Sequence, residues 1–375
     1  VSGDAEWPLG LARLAQALGR DLQRASRAAG GPRALWRAGR ARLGRALHLS
    51  GADLEEALRL RAAIDVAADG ARLRDAGVLW VGMPDPRYPD GLRQLPDPPF
   101  CLFLRGEAEA SLARLADGPA VGVVGSRRAT APGLALAHRL GADLARRGAV
   151  VVSGLAHGID AAAHEGALAA GGPTVAVLGC GVDVPYPRRN RALARRVAES
   201  GALVSEFWPG TPPAPWRFPA RNRIVAGLAG AVAVVEAGAR SGALITADFA
   251  LELGRPVLAV PGWPGALASE GCNGLLRAGA ALLETADDVV AELPGARWRA
   301  PGDPEGEAVP DGLAARVHER LAREPMDVDA LAEALGADPG EIAGALALLE
   351  IEGLAVRGEG RRYWATPTRA RGEGA

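Results

Sequence analysis

The run Val121-Gly122-Val123-Val124-Gly125-Ser126-Arg127-Arg128 joins an apolar strand, a Gly-Ser turn and two fixed positive charges. Glycine lets a chain turn sharply at a strand end, and the free N–H groups of a following helix face an anion in a favourable field. Those residue types in that order suit a phosphate. The pattern recurs at Val151-Val152-Ser153-Gly154, Val204-Ser205-Glu206 and Val234-Val235-Glu236, each an apolar run closing on a small or polar residue. Several such ends in one sheet form a crevice.

Further charge lies downstream. Arg188, Arg189 and Asn190 follow Tyr186-Pro187 at an expected helix start, where N–H groups and guanidinium act on one phosphate. Arg195 and Arg196 suit a solvated helix face equally well. Phe218-Pro219-Ala220-Arg221-Asn222-Arg223 packs together an aromatic, two guanidiniums and an amide; bases stack on aromatics and phosphates pair with arginine. Trp208 and Trp216 either extend a stacking platform for unpaired bases or close the sheet edge. His157, Asp160 and His164 share one helical face, as metal ligands do, yet the residues between are apolar and an ordinary hydrogen bond satisfies a histidine at a helix start, so no metal is expected. Glu206 and Glu236 suit a general acid and base, or they orient Arg221 and Arg223, the preferred reading beside so much guanidinium.

Composition bounds the chemistry. The 375 residues carry 43 basic and 44 acidic side chains, a net charge of −1, so any polyanion site is local. There is no lysine. A Walker A loop needs its lysine on the β/γ-phosphates and a Schiff-base enzyme needs its amine, which excludes both classes. Cys101, Cys180 and Cys272 are far apart without a C-x-x-C, pointing to reduced thiols. No apolar run spans a bilayer and the first residues lack a signal-peptide pattern, so a cytoplasmic, membrane-free protein is expected.

The elements that must position these residues are legible in the periodicity. Residues 1–75 read as a helical domain, broken at Gly30-Gly31-Pro32 and Ser50-Gly51. Proline-divided runs between Val78 and Arg105 read as irregular edge structure. Within a domain of residues 76–292, strands near 120–124, 149–153, 174–178, 202–205, 231–235 and 256–260 alternate with helices near 132–147, 157–170, 188–199, 221–229, 242–253 and 271–278. That alternation means an α/β fold with a parallel, doubly covered sheet. Residues 293–310 read as a linker, 311–367 as a winged helix and 368–375 as a tail. The winged helix's third helix bears Glu341, Glu350 and Glu352 and no arginine, favouring protein contacts over DNA readout.

In order, Gly125-Ser126-Arg127, Ser153 to Asp160, Tyr186-Pro187, Ser205-Glu206, Phe218 to Ile224, Ser241 to Thr246 and Val260-Pro261-Gly262 closely resemble the DNA-processing protein A family (DprA, also called Smf). The match runs from about Val78 to Val290. The resemblance implies an extended Rossmann-like core, led by a SAM-like helical domain, that binds single-stranded DNA and forms a homodimer. It implies protection of incoming strands and loading of the RecA recombinase in natural transformation, without turnover or cofactor. Carried onto this chain, the DNA-binding residues are Gly125, Ser126, Arg127, Arg128, Ser153, Gly154, Arg188, Arg189, Asn190, Phe218, Arg221, Asn222, Arg223, Ser241, Gly242 and Thr246, supported by Glu206 and Glu236. A fainter resemblance is to phosphoribohydrolases that cleave nucleoside monophosphates, but their Pro-Gly-Gly-x-Gly-Thr loop is replaced by Ser241-Gly242-Ala243-Leu244-Ile245-Thr246.

Overall fold

Six helices lead the chain: α1 (Trp7–Leu18), α2 (Gln23–Ala28), α3 (Pro32–Trp36), α4 (Arg40–Leu47), α5 (Gly51–Ala62) and α6 (Val66–Asp75). The first five close around Trp7, Leu11, Leu14, Leu22, Leu35, Leu43 and Leu54, joined by Phe100 from the segment beyond, while Leu73 of α6 packs with Leu9, Val78 and Phe103. The computed structural model describes residues 6–299, 312–351, 354–358 and 362–365. It divides into two compact units, Val1–Arg299 and Ala300–Ala375.

The proline-divided stretch resolves into β1 (Leu79–Gly82), α7 (Asp90–Arg93) and β2 (Cys101–Gly106), followed by α8 (Ala108–Asp117). The apolar runs on either side of the prolines pair as an antiparallel hairpin. Then come β3 (Ala120–Val124), α9 (Ala131–Arg146), β4 (Val150–Ser153), α10 (Ile159–Ala169), β5 (Thr174–Val177), a single 3-10 turn (Arg188–Asn190), α11 (Arg191–Ser200) and β6 (Ala202–Ser205). α12 (Arg217–Leu228), β7 (Ala231–Val234), α13 (Gly242–Glu252), β8 (Val257–Ala259), α14 (Glu270–Arg277), β9 (Ala281–Leu282) and α15 (Ala286–Glu292) complete the unit. α12 starts at Arg217, earlier than the sequence expectation, because a proline such as Pro219 is tolerated in a helix's first turn.

Nine strands form one sheet in the order β1-β2-β6-β5-β4-β3-β7-β8-β9. From β6 to β9 all pairs are parallel, and β2 meets β6 antiparallel. Alternate residues of each strand enter opposite layers, as a period of two requires. Val124, Val152, Val177, Val204 and Val234 pack under α12 and α13. Val121, Val123, Val151 and Ala233 pack under α9 and α10, while Ala176 and Leu203 meet α1 and α11. The chain builds outward from β3 through β4 and β5 to β6, then crosses back to place β7 on the other side of β3. That reversal is a topological switch point, where the loops after neighbouring strands diverge and leave a crevice. All loops that follow β3 to β8 therefore emerge on one rim.

The second unit comprises α16 (Leu313–Leu321), α17 (Val328–Leu335), α18 (Pro339–Ile351), β10 (Ala355–Arg357) and β11 (Tyr363–Ala365). Val317, Leu321, Leu331, Ile342, Leu346 and Leu349 form its core, and β10 and β11 pair antiparallel as a wing. On α18, Glu341, Ala347, Leu348 and Glu350 face outward. Asp311, Glu352, the linker from residue 300 on and the tail 368–375 lie outside the described residues. Among the described residues Cys101, Cys180 and Cys272 are buried free thiols, and no helix is long and apolar enough to cross a membrane.

His164 ties these layers together and generates a pH dependence. Its Nδ1 lies 2.7 Å from Thr174 Oγ, whose own hydrogen goes to the Val151 carbonyl at 2.7 Å. Thr174 therefore accepts, His164 donates from Nδ1, and its fully buried Nε2 has no partner among the described residues. Burial, reinforced by the positive charge of Arg221, pushes the His164 pKa down to about 3. The unfolded chain binds this proton below about pH 6.5 and the fold does not, so stability falls as pH drops from 6.5 towards 3. Urea unfolding at pH 7 and pH 4 should show a loss about 2–3 kcal/mol larger for the wild type than for His164→Gln; equal losses would assign the acid sensitivity elsewhere.

Candidate nucleic-acid interface

The β3–α9 loop is shaped by its neighbours before it meets any ligand. Ser126 N–H donates to the Glu236 carbonyl at 2.7 Å, and Ile159 N–H donates to the Ser126 carbonyl at 3.2 Å. Gly158 sits at φ +80° with its Cα against that same carbonyl, where any side chain would overlap it. Ser126 Oγ accepts from Arg128 N–H at 3.1 Å, closing a tight turn that projects Arg127 and Arg128 into solvent. Thr130 caps α9 by accepting from Gly133 N–H at 3.2 Å. Glu236 accepts from Thr130 Oγ at 2.6 Å and from its N–H at 3.1 Å. Glu236 thus anchors a helix start, where its charge complements the dipole. The expectation that it orients Arg221 or Arg223 is not met.

The β4–α10 loop is held from three sides. Asp160 Oδ2 accepts from the N–H groups of Gly154 at 3.1 Å and Ala156 at 3.3 Å. Asn190 Nδ2 donates to the carbonyls of Leu155 at 2.9 Å and Ala156 at 3.2 Å. Leu155 is thereby kept in the left-handed region at φ +57°. Beneath the loop the Arg221 guanidinium lies flat on Gly154, so close that a side chain there would collide with it, and Nη1 donates to the Val177 carbonyl. Arg221 is only 4 % exposed, and no carboxylate forms an ion pair with it among the described residues. Burial lowers its pKa, while nearby Asp160 raises it. Burial likewise raises the Asp160 pKa against the pull of Arg221.

Aromatic groups line the same rim. Phe218 contacts both Tyr186, at 5.3 Å and a 31° tilt, and Arg127, whose guanidinium is 5.5 Å from the ring centroid. Arg188 and Arg189 are exposed on the turn after Tyr186 and, like Arg127 and Arg128, enter no ion pair among the described residues. Trp208 packs edge-on against Phe103 of β2 at 5.3 Å, with the Arg13 guanidinium 5.1 Å from its centroid, so it belongs to the packing over the sheet. Trp216 remains 51 % exposed.

Other side chains expected at the ligand are spent on structure. Ser153 is fully buried and its Oγ donates to the Val123 carbonyl at 2.6 Å. Arg223 is 5 % exposed, held by both oxygens of Glu206 at 2.7 Å and by Asp97 at 3.3 Å. Asn190 fastens the loop described above, and Thr246 is buried inside α13. Asn222 Nδ2 donates to the Gly242 carbonyl at 3.1 Å, and Ser241 Oγ caps α13 through Ala243 N–H at 3.3 Å. Gly242 lies exposed at that helix start. Tyr186 and Asp160 matter more than the residue spacing indicated; the Tyr-Pro pair was the one local signal for the former. Asp160 and His164 are engaged with the loop and with Thr174, and no cluster of His, Cys, Asp or Glu among the described residues is arranged to hold a metal. What the rim presents is exposed guanidinium, one stacked ring and a buried positive charge behind them, an arrangement for a polyanion with flat bases.

A family model described as DNA recombination-mediator protein A matches residues 80–294, and one described as the DprA winged helix domain matches residues 301–361. The putative DNA processing protein DprA of Mycobacterium tuberculosis is 48% identical over 247 residues, 64% of this chain and 63% of that protein. The match thus spans less than two thirds of that relative's length. DNA processing protein DprA of Bacillus subtilis is 40% identical over 224 residues, 60% of this chain and 74% of the relative. Among solved structures, DNA processing protein A from Streptococcus pneumoniae superposes with a TM-score of 0.65 at 34% identity, covering 76% of this chain and 97% of that one. A structure concerned with the single-stranded DNA binding mode of DNA processing protein A from Helicobacter pylori gives a TM-score of 0.52 at 29% identity, over 58% of this chain and 96% of that one.

The two classes of arginine respond differently to substitution. Glu206→Ala strips both bidentate acceptors from buried Arg223 and should cost about 2–3 kcal/mol, somewhat below the loss for a wholly unpaired charge because Asp97 remains. Arg127→Ala should leave unfolding within about 0.5 kcal/mol of the wild type. Denaturant curves on the two variants check this, and a destabilised Arg127→Ala would mean that its contact with Phe218 is structural.

Proposed function

The chain belongs to the DNA recombination-mediator protein A family, and from that premise we propose that it binds single-stranded DNA, with little base preference, along the C-terminal rim of its sheet. The observation that carries the reading is Arg127, exposed, in no ion pair among the described residues, and set against Phe218 with buried Arg221 behind it. Phosphates supply the attraction and the aromatic face accepts any unpaired base. Gly125, Ser126, Arg128, Gly154, Arg188, Arg189, Ser241 and Gly242 complete the path, either as exposed charge or as backbone able to approach a phosphate.

We further assign the protein the protection of incoming strands and the loading of the RecA recombinase during natural transformation, as a cytoplasmic homodimer. The relatives' descriptions as DNA processing and recombination-mediator proteins support that role. The winged-helix unit then serves protein partners, since an outward face bearing Glu341 and Glu350 is repelled by phosphate. A non-enzymatic role is favoured because the two glutamates best placed for acid–base chemistry are occupied, Glu206 by Arg223 and Glu236 by Thr130.

Titration with labelled oligonucleotides should show single strands preferred over duplex. With about three or four arginine–phosphate contacts, log K should fall against log salt with a slope of roughly −2 to −3. Equal affinity for duplex, a flat salt response, or release of free base from a nucleoside monophosphate would each defeat the proposal.

A further inference from the structure

An exposed tryptophan needs no explanation by itself. Trp216 differs because it is held rigid while open to solvent. The Arg217 guanidinium lies 4.9 Å from the indole centroid and 5.1 Å from that of Phe207. Phe207 meets the indole edge-on at 6.0 Å and 85°. Arg217 is itself pinned through Nη1 to the Pro212 carbonyl, and its Nε is buried without a partner among the described residues. The guanidinium and Phe207 thus fix the ring's orientation, so a flat group arriving on its open side costs little side-chain entropy.

Position gives the clamp its meaning. Trp216 and Arg217 stand at the start of α12 immediately before Phe218, whose ring contacts both Arg127 and Tyr186. Tyr186 belongs to the loop after β5, whereas Phe207 and Trp216 belong to the loop after β6, one strand further along the sheet. Neighbouring strands are about 4.8 Å apart, so a strand continuing from the loop after β5 towards β6 reaches the loop that carries Phe207 and Trp216. A cationic group stacked on an aromatic is also the chemistry that suits a nucleobase beside its phosphate.

We propose that Trp216, clamped by Arg217 and Phe207, is a second stacking position that takes an unpaired nucleobase of the same DNA strand that crosses Phe218. The proposal rests on the single-strand reading above and lengthens its footprint towards β6. Full-length Trp216→Ala should bind a long oligothymidylate about tenfold more weakly than the wild type, equivalent to ~1.4 kcal/mol, with unchanged melting, and Trp216→Phe should recover most of the loss. Wild-type affinity in Trp216→Ala, alongside weakened binding in Phe218→Ala, would overturn the second position and leave the single-strand reading standing. Absence of single-strand binding by the wild type would remove both. Should Trp216→Ala fail to fold, photo-crosslinking of the wild type to an oligonucleotide carrying 5-iododeoxyuridine decides the matter: an adduct at Trp216 supports the position, and adducts confined to other residues overturn it.

Discussion

A guanidinium laid under a glycine shapes the rim of this protein. Arg221 reaches from α12 beneath Gly154, takes the Val177 carbonyl and stands near Asp160, so one side chain joins α12, β5 and the β4–α10 loop. The loop above it contains a leucine in the left-handed region, a conformation that persists only when its surroundings over-determine it. Asp160 on its N–H groups and Asn190 on its carbonyls complete that restraint. The buried charge also acts outward. At an effective dielectric of 20, unit charges ~8 Å apart still interact by about 2 kcal/mol, so a phosphate lying over Gly154 gains from Arg221 without touching it.

With no lysine in the chain, arginine supplies both the struts and the free charge. Arg223 is a strut: burial disfavours its charge, but the bidentate grip of Glu206 together with Asp97 wins and raises its pKa. The planar fork of guanidinium makes that bidentate geometry possible, as an ammonium would not. Arg127, Arg128, Arg188 and Arg189 are the opposite case, exposed on turns whose backbone is fixed by Ser126, Gly158 and Asn190. They enter no ion pair among the described residues. The near-zero net charge of the whole chain therefore conceals a local cluster of exposed guanidinium groups.

The second unit follows a different electrostatic plan. α17 carries Asp327 at its start, where the side chain caps Ala330 N–H, and α18 adds Glu341 near its own start. These acids complement helix dipoles. The same residues oppose a phosphate backbone, which is why the third helix of this wing does not read as a groove reader.

The sequence alone determined the order of elements from β3 to α14, but not the β1–β2 hairpin, α8, β9 or α15. Runs such as Val150–Ser153 and Ala231–Val234 are too uniformly apolar for anything but strands covered on both faces, and the glycines and polar residues that end them mark where the chain must turn. It also determined which residue types gather at the rim, since loops after parallel strands emerge together. Which of those side chains are committed to the fold was decided by tertiary structure. Arg221 and Arg223 read as equivalent in the chain, yet on a helix they point about 200° apart, one beneath Gly154 and the other into Glu206. Ser153 and Asn190 carry the right chemistry for a phosphate but are claimed by Val123 and Leu155, and Glu236, expected beside the arginines, is claimed by Thr130. Trp208 and Trp216 likewise part, one covered by Phe103 and one left open, because what approaches each ring comes from elements distant in sequence. Local spacing specifies the group and its backbone conformation; the packing of remote segments decides whether its hydrogen bonds are already used.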